Sequence, residues 1–364
     1  MRKITPLLIA LLLSAPGIAQ DSFFVHTATA PTISSDLTWI DHPDLNDNPD
    51  ADIVISHSWN PPGSAGVYNT NNSGLFYGVG QGQWGIYNEN GSAMIEGSSY
   101  NVYIGNGTDV YVHIADLANQ GTDDSYSVLN HPDINNNPDA IITLTTYYNP
   151  SSLRNDKSYG LWYDDGDNRW IIYAEDLDAI PLDSAFFVSI EGTTTTSAKH
   201  VATAGNISGN YTVISHPLLD GDPEARFVFT HNWGASGDAT NVIVDEVMGA
   251  WYTGSNWAIY TEDLSDFPVN AQFNLKIYDA VLSVDDTVVE GLTYAPNPTQ
   301  DIVTFSASTP IEQVEIFNVL GQKVMTLEGT NNSLQADISG LNVGQYFAKV
   351  QSGVSIQTVQ LIRN

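Results

Sequence analysis

One turn-rich stretch occurs three times in this chain, and that recurrence limits the fold more than any other feature. It reads His42-Pro43-Asp44-Leu45-Asn46-Asp47-Asn48-Pro49-Asp50-Ala51. It returns as His131-Pro132-Asp133-Ile134-Asn135-Asn136-Asn137-Pro138-Asp139-Ala140, and in altered form as His216-Pro217-Leu218-Leu219-Asp220-Gly221-Asp222-Pro223-Glu224-Ala225. Self-similarity of this kind marks a repeat architecture, in which one supersecondary unit is copied along the chain.

Other markers keep the same order. His26, His113 and His200 fall at equal intervals. Gly74-Leu75-Phe76-Tyr77 followed by Trp84-Gly85-Ile86-Tyr87 matches Gly160-Leu161-Trp162-Tyr163 with Trp170-Ile171-Ile172-Tyr173, and Gly249-Ala250-Trp251-Tyr252 with Trp257-Ala258-Ile259-Tyr260. The runs between turns are β-branched and aromatic, such as Ile53-Val54-Ile55-Ser56-His57-Ser58-Trp59, bounded by Pro49 and by Pro61-Pro62-Gly63. Thr253-Gly254-Ser255-Asn256 is a hairpin link rich in turn formers. The expected fold is all-β: three tandem antiparallel sandwich-like or barrel-like repeats over residues 20–109, 110–196 and 197–280.

Charge narrows the partners. Forty-two acidic residues face 11 basic ones, for a formal net charge of −31. This opposes binding to nucleic acid, where Lys and Arg must neutralise phosphate, and favours cations as small partners. The chain has no cysteine, which excludes disulfides, thiolate metal sites and cysteine nucleophiles. At the start, Arg2 and Lys3 precede an apolar run over residues 4–13 and the small residues of Gly17-Ile18-Ala19. Residues 1–19 therefore read as an export signal, too short in its apolar part for a mature membrane span. No integral span is expected in the mature protein.

Residues 281–291 read as an acidic linker, and a new alternating pattern follows over 292–364. Tyr294-Ala295-Pro296-Asn297-Pro298 is followed by Val314-Glu315-Ile316-Phe317-Asn318-Val319-Leu320-Gly321-Gln322-Lys323-Val324, then by Leu341-Asn342-Val343-Gly344-Gln345-Tyr346-Phe347 and the terminal Val359-Gln360-Leu361-Ile362. This segment resembles the type A C-terminal sorting domain of the Bacteroidota type IX (Por) secretion system. The resemblance implies a small immunoglobulin-like β-sandwich, and the type IX secretion machinery as partner. It also implies an extracellular or outer-surface destination after periplasmic transit. Its motif residues here are Pro296, Asn297, Pro298, Gly321, Gln322, Val324, Leu341, Gly344 and Tyr346. The three upstream copies resemble a repeat of unknown function in secreted bacterial proteins, which implies architecture and no activity.

Five groups of residues carry candidate chemistry. In the recurring loops, Asp44, Asn46, Asn48 and Asp50, Asp133, Asn135, Asn137 and Asp139, and Asp220, Asp222 and Glu224 offer closely spaced oxygens of the kind Ca²⁺ takes. Against this, Pro49 and Pro138 stand where a calcium loop has glycine, and Asx-Pro turns use the same residues to bond backbone N–H groups. Trp59, Tyr148 and Trp233 share one repeat position, with Asn60 and Asn149 beside the first two. They are either sugar-stacking platforms flanked by hydrogen-bonding amides or rings that cap each unit's core.

The eight histidines recur by repeat position, with Thr146 replacing the counterpart of His57 and His231. Recurrence suits a structural role better than a single catalytic base. Glu175-Asp176 and Glu262-Asp263, with Glu89-Asn90 in the first copy, follow the Trp-x-Ile-Tyr strands and are expected to be solvated. Finally, Asp183-Ser184-Ala185 and Asp286-Thr287-Val288 resemble the short Bacteroidota O-glycosylation site, which implicates Ser184 and Thr287. The combined expectation is a non-catalytic secreted or surface protein that binds glycan or another surface ligand. A structural spacer and a polysaccharide hydrolase are the alternatives.

Overall fold

The computed structural model describes residues 22–149, 151–191, 194, 196–234, 242–278, 289–318, 322–353 and 355–364. The chain divides into two compact units, residues 1–279 and 280–364. The export signal and most of the linker, including Thr287, lie outside the described residues, as does Gly321.

The described secondary structure is entirely β. The first repeat contributes β1 (Ser22–Thr27), β2 (Ile33–Ser34), β3 (Leu37–Trp39), β4 (Ile53–Ser58), β5 (Ser73–Gly78), β6 (Gln83–Asn88) and β7 (Ser99–Ile104). The second contributes β8 (Val110–Ile114), β9 (Tyr126–Val128), β10 (Ile141–Tyr147), β11 (Tyr159–Asp164), β12 (Arg169–Ala174) and β13 (Ala185–Glu191). The third contributes β14 (Ser197–Val201), β15 (Ile207–Ser208), β16 (Tyr211–Val213), β17 (Phe227–Gly234), β18 (Met248–Tyr252), β19 (Trp257–Thr261) and β20 (Gln272–Ile277).

Each repeat is a two-layered sandwich with its own apolar core, centred on Trp84, Trp170 or Trp257. Its layers do not stop at its boundaries. The strand orders are β1-β7-β4-β18-β19-β16-β15, β2-β3-β6-β5-β10-β13-β8 and β14-β20-β17-β11-β12-β9. Every sheet is thus half one repeat and half another, and the third repeat returns to pair with the first. Pairing is antiparallel within a repeat but parallel at the three seams, β4 with β18, β5 with β10 and β11 with β17.

Three equivalent strands, β4, β10 and β17, meet where the sheets converge. A ring of hydroxyls ties them. The Ile55 N–H donates to Thr145 Oγ1 at 2.9 Å, the Leu144 N–H to Thr230 Oγ1 at 3.0 Å, and the Phe229 N–H to Ser56 Oγ at 3.0 Å. Each repeat hands one backbone donor to the next, so the copies close cyclically. A strand edge that is paired no longer offers a template for association, and the three seams cover six such edges, two at each seam.

The second unit holds β21 (Thr293–Ala295), β22 (Ile302–Asn318), β23 (Lys323–Asp337), β24 (Gly344–Ser352) and β25 (Ser355–Arg363). Register shifts along β22 curl the sheet, so that its strands enclose Val303, Phe305, Ile316, Ala348 and Leu361.

Candidate functional site

The recurring loops are turns anchored to each core. Leu45, Ile134 and Leu219 are fully buried, and the indole N–H of Trp84, Trp170 and Trp257 donates to the carbonyl of Asn48, Asn137 and Asp222 at 2.8–2.9 Å. Asp47, Asn136 and Gly221 hold one position at φ of 56°, 58° and 77°, a left-handed conformation that Asx and Gly adopt most readily.

The would-be calcium ligands serve the loop itself. The Asn46 amide donates to Asp41 and the Asn135 amide to Asn130, while those of Asn48 and Asn137 donate to the carbonyls of Asp44 and Asp133. Asp220 accepts from the His216 N–H and from Asn256, and Asp222 from the Glu224 N–H. The carboxylates of Asp44, Asp50, Asp133 and Asp139 lie exposed. Among the described residues, no group of three or more His, Asp or Glu is placed to hold a metal.

All eight histidines are built into the fold. His26, His113 and His200 are buried, and Nε2 of each meets a strand hydroxyl, of Thr38, Ser127 or Thr212. Burial lowers the pKa of each from 6.5 to about 4. Nδ1 of His42, His131 and His216 accepts the backbone N–H two residues on, as a His-Pro turn permits.

His57 and His231 sit at the seams, where the strand-end glutamates also lie. Glu89, Glu175 and Glu262 are 2%, 1% and 2% exposed, which corrects the expectation that these acids are solvated. Glu262 of the third repeat accepts from the Tyr260 hydroxyl at 2.6 Å, from His57 Nδ1 of the first repeat at 3.1 Å, and from the Asn69 N–H at 2.9 Å. Glu175 repeats the set with Tyr173, His231 and the Val244 N–H. A buried carboxylate needs such donors to offset its lost hydration.

Glu89 lacks the imidazole, because Thr146 stands there and donates to the Ser73 carbonyl instead. Its Oε2 accepts the Asn155 N–H at 2.8 Å, whereas Oε1 has no partner in hydrogen-bonding geometry, and burial raises its pKa.

The glycine of each Gly-x-Trp/Phe-Tyr motif makes room for this cluster. Gly249 pairs with Tyr260 on one side and His57 on the other, and a Cβ there would stand 2.6 Å from the Tyr260 hydroxyl and 2.8 Å from Glu262 Oε1. Gly160 lies between Tyr173 and His231, and Gly74 between Tyr87 and Thr146. The recurring Tyr-x-Glu, at Tyr87/Glu89, Tyr173/Glu175 and Tyr260/Glu262, was the sequence signal for these clusters.

The aromatic position lies on the outer side of the same seams. Trp59, Tyr148 and Trp233 are half-buried, each against a ring of the neighbouring repeat: Trp251 at 6.1 Å, Phe76 at 5.5 Å and Trp162 at 5.9 Å between centroids. The rows extend outward to Tyr68 and Tyr211 at the first seam and to Trp39 at the second. Asn60 and Asn149 do not flank the rings as free amides. They bond the backbone of Tyr252 and Tyr77 across the seam. Ser184 is buried, and its hydroxyl donates to the Pro181 carbonyl, so the folded unit does not present it for glycosylation.

Residues 15–104, 74–168 and 160–277 match the family described as Domain of unknown function (DUF7452). The chain belongs to this family. Residues 294–364 match the Secretion system C-terminal sorting domain, so the DUF7452 repeats are cargo for the type IX secretion machinery, destined for the cell surface or beyond. Asn297 explains part of the tail's motif: between Pro296 and Pro298, its amide donates to the Gln360 carbonyl and accepts the Ile362 N–H, pinning the terminal strand. The Gln322 N–H donates to Asn318, Tyr346 donates to the Asn342 carbonyl, Val324 and Leu341 pack on the core, and Gly344 pairs with Arg363.

No curated protein matches the chain. Among solved structures, there is likeness to PorZ, a surface component of the type-IX secretion system of Porphyromonas gingivalis. Identity is 12% over 57% of this chain and 25% of that one, with a TM-score of 0.19. The BSP domain of a biofilm associated protein is 9% identical over 95% of this chain and 81% of that one, with a TM-score of 0.17. At these scores neither likeness informs fold or function. No helix among the described residues is long and apolar enough to cross a membrane.

Proposed function

We propose that the DUF7452 unit is a non-catalytic binding module that grips glycan through the aromatic rows on its three seams. The observation that carries this reading is the recurrence of a half-exposed row at every seam. Leu75, Leu161 and Ala250 turn into the cores, and their neighbours Phe76, Trp162 and Trp251 turn outward beside Tyr148, Trp233 and Trp59. Flat rings of this kind stack on the apolar face of a sugar, and several weak sites on one rigid body gain by avidity. A linear spacer would gain length with each copy, whereas here the third copy pairs with the first. The histidines and seam glutamates hold the repeats together, which supports a module without turnover.

Glycan-array binding by the full chain tests the reading, using one ring from each row, of which Trp162 also packs on Trp233 across its seam. Tyr68→Ala, Trp39→Ala and Trp162→Ala together should abolish retention on the glycans bound by the parent. Undiminished binding by a folded triple variant would reject the aromatic rows.

A further inference from the structure

Where β4, β10 and β17 converge, the repeat unit contains a recess of about 140 Å³, lined by Ser56, His57, Thr145, Thr146, Thr230 and His231 from all three repeats. It continues into an outer vestibule of about 330 Å³ through the shared residues Asn72, Lys157, Ser158 and Glu246. The vestibule is strongly acidic, with Asp156, Asp176, Asp245, Glu246 and Asp263 around a single lysine. Lys157 is already paired with Asp176 and lies 3.8 Å from Asp178. Asp245 and Glu246 have no such partner among the described residues, and burial together with neighbouring carboxylates raises the pKa of both.

A second, independent feature faces the recess. His231 is 2% exposed; its Nδ1 is held by Glu175 and the Tyr173 hydroxyl, and its Nε2 has no hydrogen-bond partner. The equivalent His57 satisfies Nε2 on Ser73 Oγ at 2.9 Å. Strand register puts Met248 where Ser73 stands in the first repeat, and Met248 offers no hydroxyl. In the neutral ring, with Nδ1–H given to a carboxylate, Nε2 carries a lone pair, and the free edge of the ring is then an acceptor.

We propose that this recess is a binding site for a primary ammonium group. The cation is drawn by the vestibule carboxylates and donates one N–H to His231 Nε2 at the inner end. A low-dielectric cleft lined by one sign of charge concentrates counter-ions, and the recess admits an ammonium head while leaving the rest of the ligand in the vestibule. A divalent metal fits less well, since no group of three His, Asp or Glu ligands converges among the described residues. The same chemistry arises from an alkylamine such as a lysine side chain or from an amino sugar.

Calorimetry on the full chain distinguishes these sources, with cadaverine and glucosamine as probes and N-acetylglucosamine as the uncharged control. Either amine should bind while the acetylated sugar does not, and added salt should weaken the interaction. Asp245→Asn with Glu246→Gln removes charge from side chains that no seam depends on, and should weaken binding about five- to tenfold. His231→Asn should weaken it further, and ¹⁵N-histidine spectra of the parent should show the Nε2 resonance of one histidine moving on titration with amine. Equal binding of the acetylated sugar, an unchanged affinity in the Asp245/Glu246 variant, or tight Ca²⁺ or Zn²⁺ binding that excludes the amines would overturn the proposal.

Discussion

Nδ1 of His57 lies 3.1 Å from Oε1 of Glu262, a contact between the first and third repeats across 205 residues of chain. It closes a ring that begins with Glu89 beside Thr146 and continues with Glu175 and His231. Each buried carboxylate belongs to one repeat and most of its environment to the next. The energetic unit of this protein is therefore the seam as much as the repeat.

Shared sheets predict shared unfolding. Residues 22–278 should melt in one calorimetric transition, with van't Hoff and calorimetric enthalpies in agreement, and not in three steps. Deleting the third repeat would expose β4 and β11 as open edges, so that fragment should aggregate instead of folding as a shorter array.

The three seam glutamates should respond unequally to loss of charge. Glu262 accepts three donors, and Glu262→Gln replaces one acceptor oxygen with an NH₂ that faces them; a loss of about 2–4 kcal/mol is expected in urea denaturation. Glu89 accepts the Asn155 N–H and has the Thr146 and Tyr87 hydroxyls beside it in place of an imidazole, and burial raises its pKa. Glu89→Gln should cost under about 1 kcal/mol.

Gly249→Ala tests the space at the third-to-first seam. The new methyl would meet the Tyr260 hydroxyl and the Glu262 carboxylate in a closed setting. Overpacking of this kind should cost about 1–3 kcal/mol. The same change at Gly254, which has open space around its Cβ position but a φ of 102°, would report backbone strain alone.

Acid should weaken the repeat unit through its buried histidines. The pKa values of His26, His113 and His200 fall from 6.5 to about 4 because burial disfavours the imidazolium. The unfolded chain thus binds protons first: stability is fully present above pH 6.5 and is lost as pH falls towards 4. Each histidine contributes on the order of 3 kcal/mol to that loss. Asp52 offsets part of it, since burial and the charges of Asp109 and Asp50 raise its pKa to about 6, and its protonation favours the fold as pH drops. His200→Gln should flatten the slope of stability against pH in this window.

Lys276 is a buried cation that joins all three repeats. Its ammonium pairs with Asp109 and Glu191 and lies 3.9 Å from the centre of the Tyr103 ring. Lys276→Met leaves two carboxylates uncompensated and should cost about 3–5 kcal/mol, measured by urea denaturation. Adding Asp109→Asn and Glu191→Gln should recover most of that loss.

Local signals in the chain were enough for much of this account. Alternation placed the strands, Asx-Pro chemistry placed the loops, and the recurrence of Trp84, Trp170 and Trp257 marked three cores, all fully or almost fully buried. The tail's motifs placed the sorting domain, because its pattern runs in order over one continuous segment. Alternation reports which face of a strand is buried, but not which edge pairs with which, since edge pairing is carried by backbone groups that every residue shares. Only the tertiary structure, then, decided that the repeats close through parallel seams. That closure buries Glu89, Glu175 and Glu262, and it turns the glycines of a recurring motif into the space those carboxylates occupy.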